Sequence, residues 1–231
     1  VLICLSNFGW AQITSGLGGS VPVKADTNLV RDMSEEFTKY IFNDPDRAEQ
    51  IALEALALAE ALDYEEGILK INNNLGVLYS FGGQYPQAVD LYQDNIKRYR
   101  NLGDEEYVAR TQNNLGGVYF KMGLLDSALV QFEQAFPYYT RERDTTGVLF
   151  VLNNVAIIRQ EQGNYQEALE GFFSIMRFGE ATRDSVLIGV AYNNVAGLYA
   201  LQKDYAEAEK SFQKAMAIFK AREDKYGEVM V

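Results

Sequence analysis

The sequence predicts an all-α protein, an α-solenoid of stacked antiparallel helix pairs, and three observations carry that reading. The doublets Asn73-Asn74, Asn113-Asn114, Asn153-Asn154 and Asn193-Asn194 recur at a constant spacing of forty residues. The same spacing joins Ala48, Ala88, Ala128, Ala168 and Ala208, and it joins Tyr92, Phe132, Phe172 and Phe212, with Ala52 in the earlier slot. Gly83, Gly123 and Gly163 punctuate the array in register, as do Asp104, Asp144, Asp184 and Asp224. No insertion interrupts these columns, and self-similarity at a period of this length marks a repeat architecture.

Each repeat divides into two helices. In the first clear repeat, Leu75, Gly76 and Tyr79 fall on one face at helical spacing, which predicts a first helix over about 66–81. The Gly82-Gly83 break follows, where a helix ends in a left-handed residue. A second helix is predicted over about 85–99, with Ala88, Leu91, Tyr92 and Asn95 along one side. Alanine recurs where two helix axes approach closely, and the large aromatic four residues later fills the space beyond it. The aspartates at 104, 144, 184 and 224 are placed to cap the helix that opens the next repeat.

The pattern Leu75-Gly76-x-x-Tyr79, then Tyr85, Ala88 and Tyr92, resembles the tetratricopeptide repeat. Leu115-Gly116-x-x-Tyr119, Ala128 and Phe132 match nearly as well. The third and fourth repeats replace Leu-Gly with Val-Ala, and the third carries Arg159 in the tyrosine column. The repeats also lack the usual tryptophan and terminal proline and run about six residues long. That length is similar to the forty-residue subclass of kinesin light chains and bacterial sensor proteins. The resemblance implies a right-handed superhelix with the first helix of each pair lining the concave side. It also implies a protein- or peptide-binding scaffold.

The repeat domain is expected over 27–231, in repeats of about 27–62, 63–102, 103–142, 143–182 and 183–222, with a truncated one at 223–231. Residues 27–62 read as a divergent first pair, since Ala48 and Ala55 keep register while its first helix does not. The last residues read as the opening of a further repeat, which suggests a fragment of a longer protein. Residues 12–26 read as a flexible, glycine-bearing linker. Residues 1–11, VLICLSNFGWA, read as the remnant of a secretory signal peptide, with Gly9-Trp10-Ala11 resembling a cleavage site. The alternative is a buried or disordered N-terminal strand. Export, to a bacterial periplasm, is therefore expected, and a cytoplasmic location if 1–11 is not a signal peptide. No other stretch is apolar enough to span a bilayer.

Composition excludes several functions. Among 231 residues there is no histidine, which removes the commonest general base and metal ligand. The single cysteine, Cys4, builds neither a disulfide framework nor a thiolate zinc site. A formal net charge of −11 repels phosphate backbones, so nucleic acid is not an expected partner. The Gly16-Leu17-Gly18-Gly19 run has no lysine at phosphate-loop spacing. Carboxylate pairs such as Glu65-Glu66 and Glu105-Glu106 sit at helix starts, where they favour the helix dipole. No enzyme and no cofactor is expected.

What remains is a binding face. At about 100° per residue, the side of each first helix facing away from Leu75 and Tyr79 carries Lys70, Asn74, Val77 and Phe81. Its equivalents are Arg110, Asn114, Gly117 and Lys121, then Phe150, Asn154, Ile157 and Glu161, then Val190, Asn194, Gly197 and Leu201. Asparagine is a mediocre helix former, so its recurrence in mid-helix asks for a reason. A side-chain amide both donates and accepts. A row formed by Asn74, Asn114, Asn154 and Asn194 would grip an extended peptide backbone; alternatively it bonds the neighbouring pair and fixes the stacking. Asn73, Asn113, Asn153 and Asn193 lie further round and read as structural. Lys70, Arg110 and Lys121 are basic, whereas Phe150, Ile157, Val190 and Leu201 are apolar, an order that suits a ligand with an acidic and an apolar end. These residues are also compatible with an ordinary solvated face.

Two functions are compatible with this reading. One is a non-catalytic peptide- or protein-binding domain, the exported sensing or scaffolding part of a larger bacterial signalling protein with an output domain beyond residue 231. The other is a structural spacer or self-association module with no groove ligand.

Overall fold

The computed structural model describes residues 23–221. The residues read as a signal peptide, most of the linker and the truncated last repeat lie outside that range. Among the described residues every regular element is an α-helix. The chain falls into two compact units, one up to Gly82 and one from Gly83 onward.

The first unit holds α1 (Val23–Tyr40), α2 (Pro45–Ala61) and α3 (Glu65–Phe81). Helix α1 begins four residues earlier than the expected repeat boundary at 27. Asp44 caps α2, its carboxylate accepting from the Arg47 amide at 3.2 Å, and Pro45 occupies the first turn, where no amide donor is needed. α2 packs on both neighbours, and α1 also touches α3. Val30, Phe37, Ala48, Ala55, Leu69 and Leu75 form its buried seam.

The second unit holds α4 (Tyr85–Leu102), α5 (Glu105–Lys121), α6 (Leu125–Arg141), α7 (Thr145–Glu161), α8 (Tyr165–Thr182), α9 (Ser185–Leu201) and α10 (Tyr205–Ala221). Each helix packs on its chain neighbours, and α5 touches α7 while α7 touches α9, the contact pattern of a solenoid of stacked antiparallel helix pairs. Three of the four predicted caps are in place, and the fourth, Asp224, lies outside the described residues. Asp104 accepts from the Tyr107 amide at 3.1 Å, Asp144 from the Gly147 amide at 3.0 Å, and Asp184 from the Val186 amide at 2.9 Å.

A finer period of twenty residues sets the helix lengths. Residues 63, 83, 103, 123, 143, 163, 183 and 203 all have positive φ, between 52° and 78°. Each turn from 63 to 203 therefore ends a helix with one left-handed residue, whereas the inner turn of the first repeat, at 41–44, has none. Glycine supplies it at 83, 103, 123 and 163, and Asp63, Arg143, Arg183 and Lys203 adopt it against their Cβ preference.

The alanine column is buried, at 0% exposure for Ala88, Ala128 and Ala168, and so are Tyr92, Phe132 and Phe172 four residues on, at 1%, 0% and 2%, whereas Phe212 is half-buried. The departures from the family pattern have local compensations. A Cβ at Gly116 would lie 2.8 Å from the Phe132 ring. In the next repeat the equivalent residue is Ala156, and its methyl is accommodated because the facing residue is Gly171, whose own Cβ would lie 2.9 Å from it. Arg159 replaces tyrosine without losing the column's polar tip. Tyr79 donates to Glu49 at 2.9 Å, the Tyr119 hydroxyl accepts from Gln93 at 3.0 Å, and Arg159 reaches Glu167 at 3.1 Å. The two tyrosines spend their polar ends on the second helix of the preceding repeat, and Arg159 spends its own on the second helix of its own repeat.

The tyrosines give the fold an alkaline limit. Burial pushes the Tyr139 hydroxyl from 10.0 to about 12, and burial pushes Tyr92 upward as well. Tyr79 reaches about 12 through burial first and then its bond to Glu49. Below pH 10 each is neutral whether folded or not; above it the unfolded chain sheds protons that the folded chain retains. Stability is therefore present in full below pH 10 and drains as pH rises through about 12. Thermal melts should show no step near pH 6.5, since there is no histidine to titrate, and a steep fall above about pH 10. A melting temperature that holds steady to pH 12 would contradict this burial.

Candidate functional site

The positions marked as a binding face lie on the open side of the first helices. In the first unit Lys70 is exposed, Asn74 and Val77 are half-buried and Phe81 is 61% exposed. Asn74 donates to Ser34 of α1 at 3.0 Å, so its amide is tied to the preceding helix pair. Phe81 is held edge-on by Phe42, with ring centroids 5.3 Å apart.

In the second unit α5, α7 and α9 bring the equivalent residues to one side. Phe150 is 54% exposed and Leu201 60%, while Ile157, Val190, Asn114, Asn154 and Asn194 are half-buried. The basic contribution is weaker than the sequence suggested. Arg110 lies 3.4 Å from Glu106 one turn away and over the Tyr107 ring at 5.3 Å, so its charge is largely answered within its own helix. Lys121 closes α5 at the carbonyl end, where it suits the helix dipole.

The asparagines divide in a way the sequence did not reveal. Asn194 donates to the Asn153 oxygen of the previous repeat at 2.5 Å. The bond runs from the second asparagine of one doublet to the first of the preceding doublet, at a separation of 41 residues. It is a stacking bond, the structural alternative raised for this column. The equivalent bond from Asn154 to Asn113 is not made. The Asn113 oxygen is buried with no partner, and the Asn154 side chain makes no hydrogen bond to any described residue. Leaving a buried acceptor unpaired costs about 1–3 kcal/mol. Asn154 is thus the amide of this face whose bonding capacity is unspent, and it lies between Phe150 and Ile157 on α7.

One turn further along α7, Ile157 lines a cavity of about 410 Å³ together with Leu201, Phe172, Phe212 and Gly197 and the amides Gln160, Asn193 and Asn194. Gly197 makes the room. A Cβ there meets nothing within 4 Å, and the same holds for Gly117 two repeats earlier. The wheel placed Gly197 on this face; it could not show that the second-helix rings Phe172 and Phe212 reach the same hollow. No group of three or more metal-ligating side chains occurs among the described residues, and no described helix is long and apolar enough to cross a membrane.

A family model described as tetratricopeptide repeat matches residues 67–141, 107–172 and 148–221, together more than half of the chain. Comparison with curated proteins finds no match. Among solved structures, one described as a kinesin light chain with nearly identical TPR-like repeats, from Podosopora anserina, superposes with a TM-score of 0.71 at 19% identity, covering 84% of this chain and 96% of that one. Aspartyl phosphate phosphatase F from Bacillus subtilis gives a TM-score of 0.77 at 12% identity, over 94% of this chain and 56% of that one. A signal transduction ATPase with a tetratricopeptide repeat sensor, from Pyrococcus horikoshii, gives 0.69 at 18% identity, over 88% of this chain and 32% of that one. At these identities the likeness is one of fold.

Proposed function

The chain belongs to the tetratricopeptide repeat family, a fold typical of protein-binding scaffolds, and from that premise we propose that its second unit is a non-catalytic receptor for a peptide segment. The observation that carries the proposal is the unspent Asn154 amide on the same side as an open hollow lined by both amide and apolar side chains. An extended segment would exchange backbone hydrogen bonds with Asn154 and place an apolar side chain over Gly197, between Ile157 and Leu201. Asn114 and Arg110 on α5, and Val190 on α9, extend the same face. Export, and service as the sensing or scaffolding part of a larger bacterial signalling protein, belong to the same proposal. They are supported by the signal-like residues 1–11 and by the sensor fold of the Pyrococcus horikoshii protein.

The spacer reading also has an observation in its favour, the Asn194–Asn153 bond between repeats. One experiment separates the two. Peptides are selected from a random library on the wild-type protein, and their affinities are then measured for three variants. Asn154→Ala should leave stability within about 0.5 kcal/mol, since its side chain bonds nothing in the fold, and weaken the peptide about tenfold. Gly197→Leu should raise helix stability by up to about 1 kcal/mol, because leucine is the better helix former and its Cβ has room, and abolish binding by filling the hollow. Asn194→Ala should cost about 1–3 kcal/mol of stability, by orphaning Asn153. Selected peptides that bind Gly197→Leu and Asn154→Ala as well as the wild type, or a library that yields none, would leave the spacer as the function.

A further inference from the structure

Glycine inside a helix weakens it more than any residue except proline, so a mid-helix glycine calls for a packing or a functional reason. Five in the second unit have the packing reason. At Gly116, Gly147, Gly171, Gly179 and Gly189 a Cβ would lie less than 3.0 Å from a neighbouring atom. Gly117 in α5 and Gly197 in α9 have none. A Cβ at either meets nothing within 4 Å, and neither residue has positive φ. Both stand in one column of the groove, two repeats apart, and the residue between them in that column is Ile157 of α7. The groove across α5, α7 and α9 therefore reads hole, ridge, hole. The Gly197 hole opens into the cavity that Ile157 and Leu201 line.

The spacing of the holes sets the ligand. α5 touches α7, and α7 touches α9. Contacting helix axes lie about 8–10 Å apart, which puts the two holes about 16–20 Å apart. An extended chain advances about 3.3 Å per residue, so it spans the holes in about five or six residues. Successive side chains point to opposite faces, and only the even step returns two of them to the same side. The residue halfway then points away from the groove. That leaves bare backbone over the Ile157 side chain and lays a peptide group on the side of α7 that carries the unspent Asn154 amide. We infer that the groove, on the receptor reading proposed above, measures a distance. It takes an extended segment with large side chains six residues apart, one in each hole, and only small side chains between them on the groove face. Gly117 and Gly197 are the residues that set this selectivity.

The probe is the end-blocked peptide acetyl-Thr-Leu-Thr-Ser-Thr-Ser-Thr-Leu-Thr-amide. It is compared with two peptides whose leucines stand five and eight residues apart, and with one whose second leucine is serine. Each is titrated into the whole chain as wild type, Gly117→Leu and Gly197→Leu, and followed by amide shifts in NMR. On the wild type the six-residue spacing should bind about tenfold more tightly than the other three, the worth of one buried leucine. On either variant that advantage should vanish, because one hole is filled. The melting temperature should not fall, since leucine is the better helix former and its Cβ has room. Equal affinity of the four peptides for the wild type overturns the inference, as does an advantage that survives in Gly117→Leu. If Gly197→Leu still weakens the peptides in either case, the receptor stands and only the two-hole register falls. Absence of any shift at millimolar peptide also overturns the register, and the library selection then decides separately whether a receptor remains.

Discussion

Replacing Gly147 by leucine should cost about 3 kcal/mol, at the top of the range for overpacking a filled core. A Cβ at Gly147 would lie 2.1 Å from the Tyr139 ring and 2.4 Å from the ring carbon nearest the backbone, so the clash falls on the part of the side chain least able to swing away. Tyr139 itself is 4% exposed and belongs to the cluster that includes Ala128, Phe132, Val148 and Val151. The following repeat solves the same junction with the sizes exchanged. Its residues in these two columns are Gly179 and Leu187, and a Cβ at Gly179 would lie 2.9 Å from the Cβ of Leu187. The repeat before solves it a third way, with the Tyr107 ring turned outward to stack on Tyr99 at 5.0 Å. The exchange can be copied. Tyr139→Gly alone should cost about 5 kcal/mol, from a lost buried aromatic and a mid-helix glycine. The double variant Tyr139→Gly/Gly147→Leu should be less damaged than the sum of the two by about 2–3 kcal/mol. Urea unfolding of the four proteins measures that coupling, and additive losses would show that the two columns do not share one space.

That exchange explains what could and could not be read from the residues. Columns that hold one residue type were legible at once: the alanines need close approach, the aspartates need a helix start, and the glycines at 83, 123 and 163 need positive φ. Columns in which two positions trade volume, such as 139 with 147, look like noise until the partners are seen together. The shared side of the first helices was legible, because helical spacing fixes which residues lie together on it. Its bonding was not. Asn74, Asn194 and Asn154 occupy the same column, yet the first is tied to Ser34, the second to Asn153 and the third to none of the described residues. Rotamer and neighbour decide that, not period. The division at Gly82 and Gly83 was equally hidden, since it cuts the expected repeat 63–102 between its own two helices, where the sequence keeps perfect register.

Truncating Phe132 to alanine should remove about 3–5 kcal/mol. The ring is 0% exposed and rests on Gly116, while Ala128 one turn earlier is already as small as a side chain can be. Neither Gly116 nor Ala128 has a side chain that could fill the void, so most of the cavity cost remains. Phe132→Leu, which keeps most of the volume, should lose only about 1 kcal/mol. The damage should also be local. In a stack where each element touches only its neighbours, stability is a sum of near-neighbour terms. Helix α10 packs on α9 and, among the described residues, on no other helix. Hydrogen exchange in Phe132→Ala should therefore lose about a hundredfold or more of its protection in α5, α6 and α7, while α10 keeps its own. A loss below about 1 kcal/mol would mean that the core at Phe132 closes over the gap. Equal loss in α10 would mean that the second unit opens as a single block, and the near-neighbour picture would fail for it.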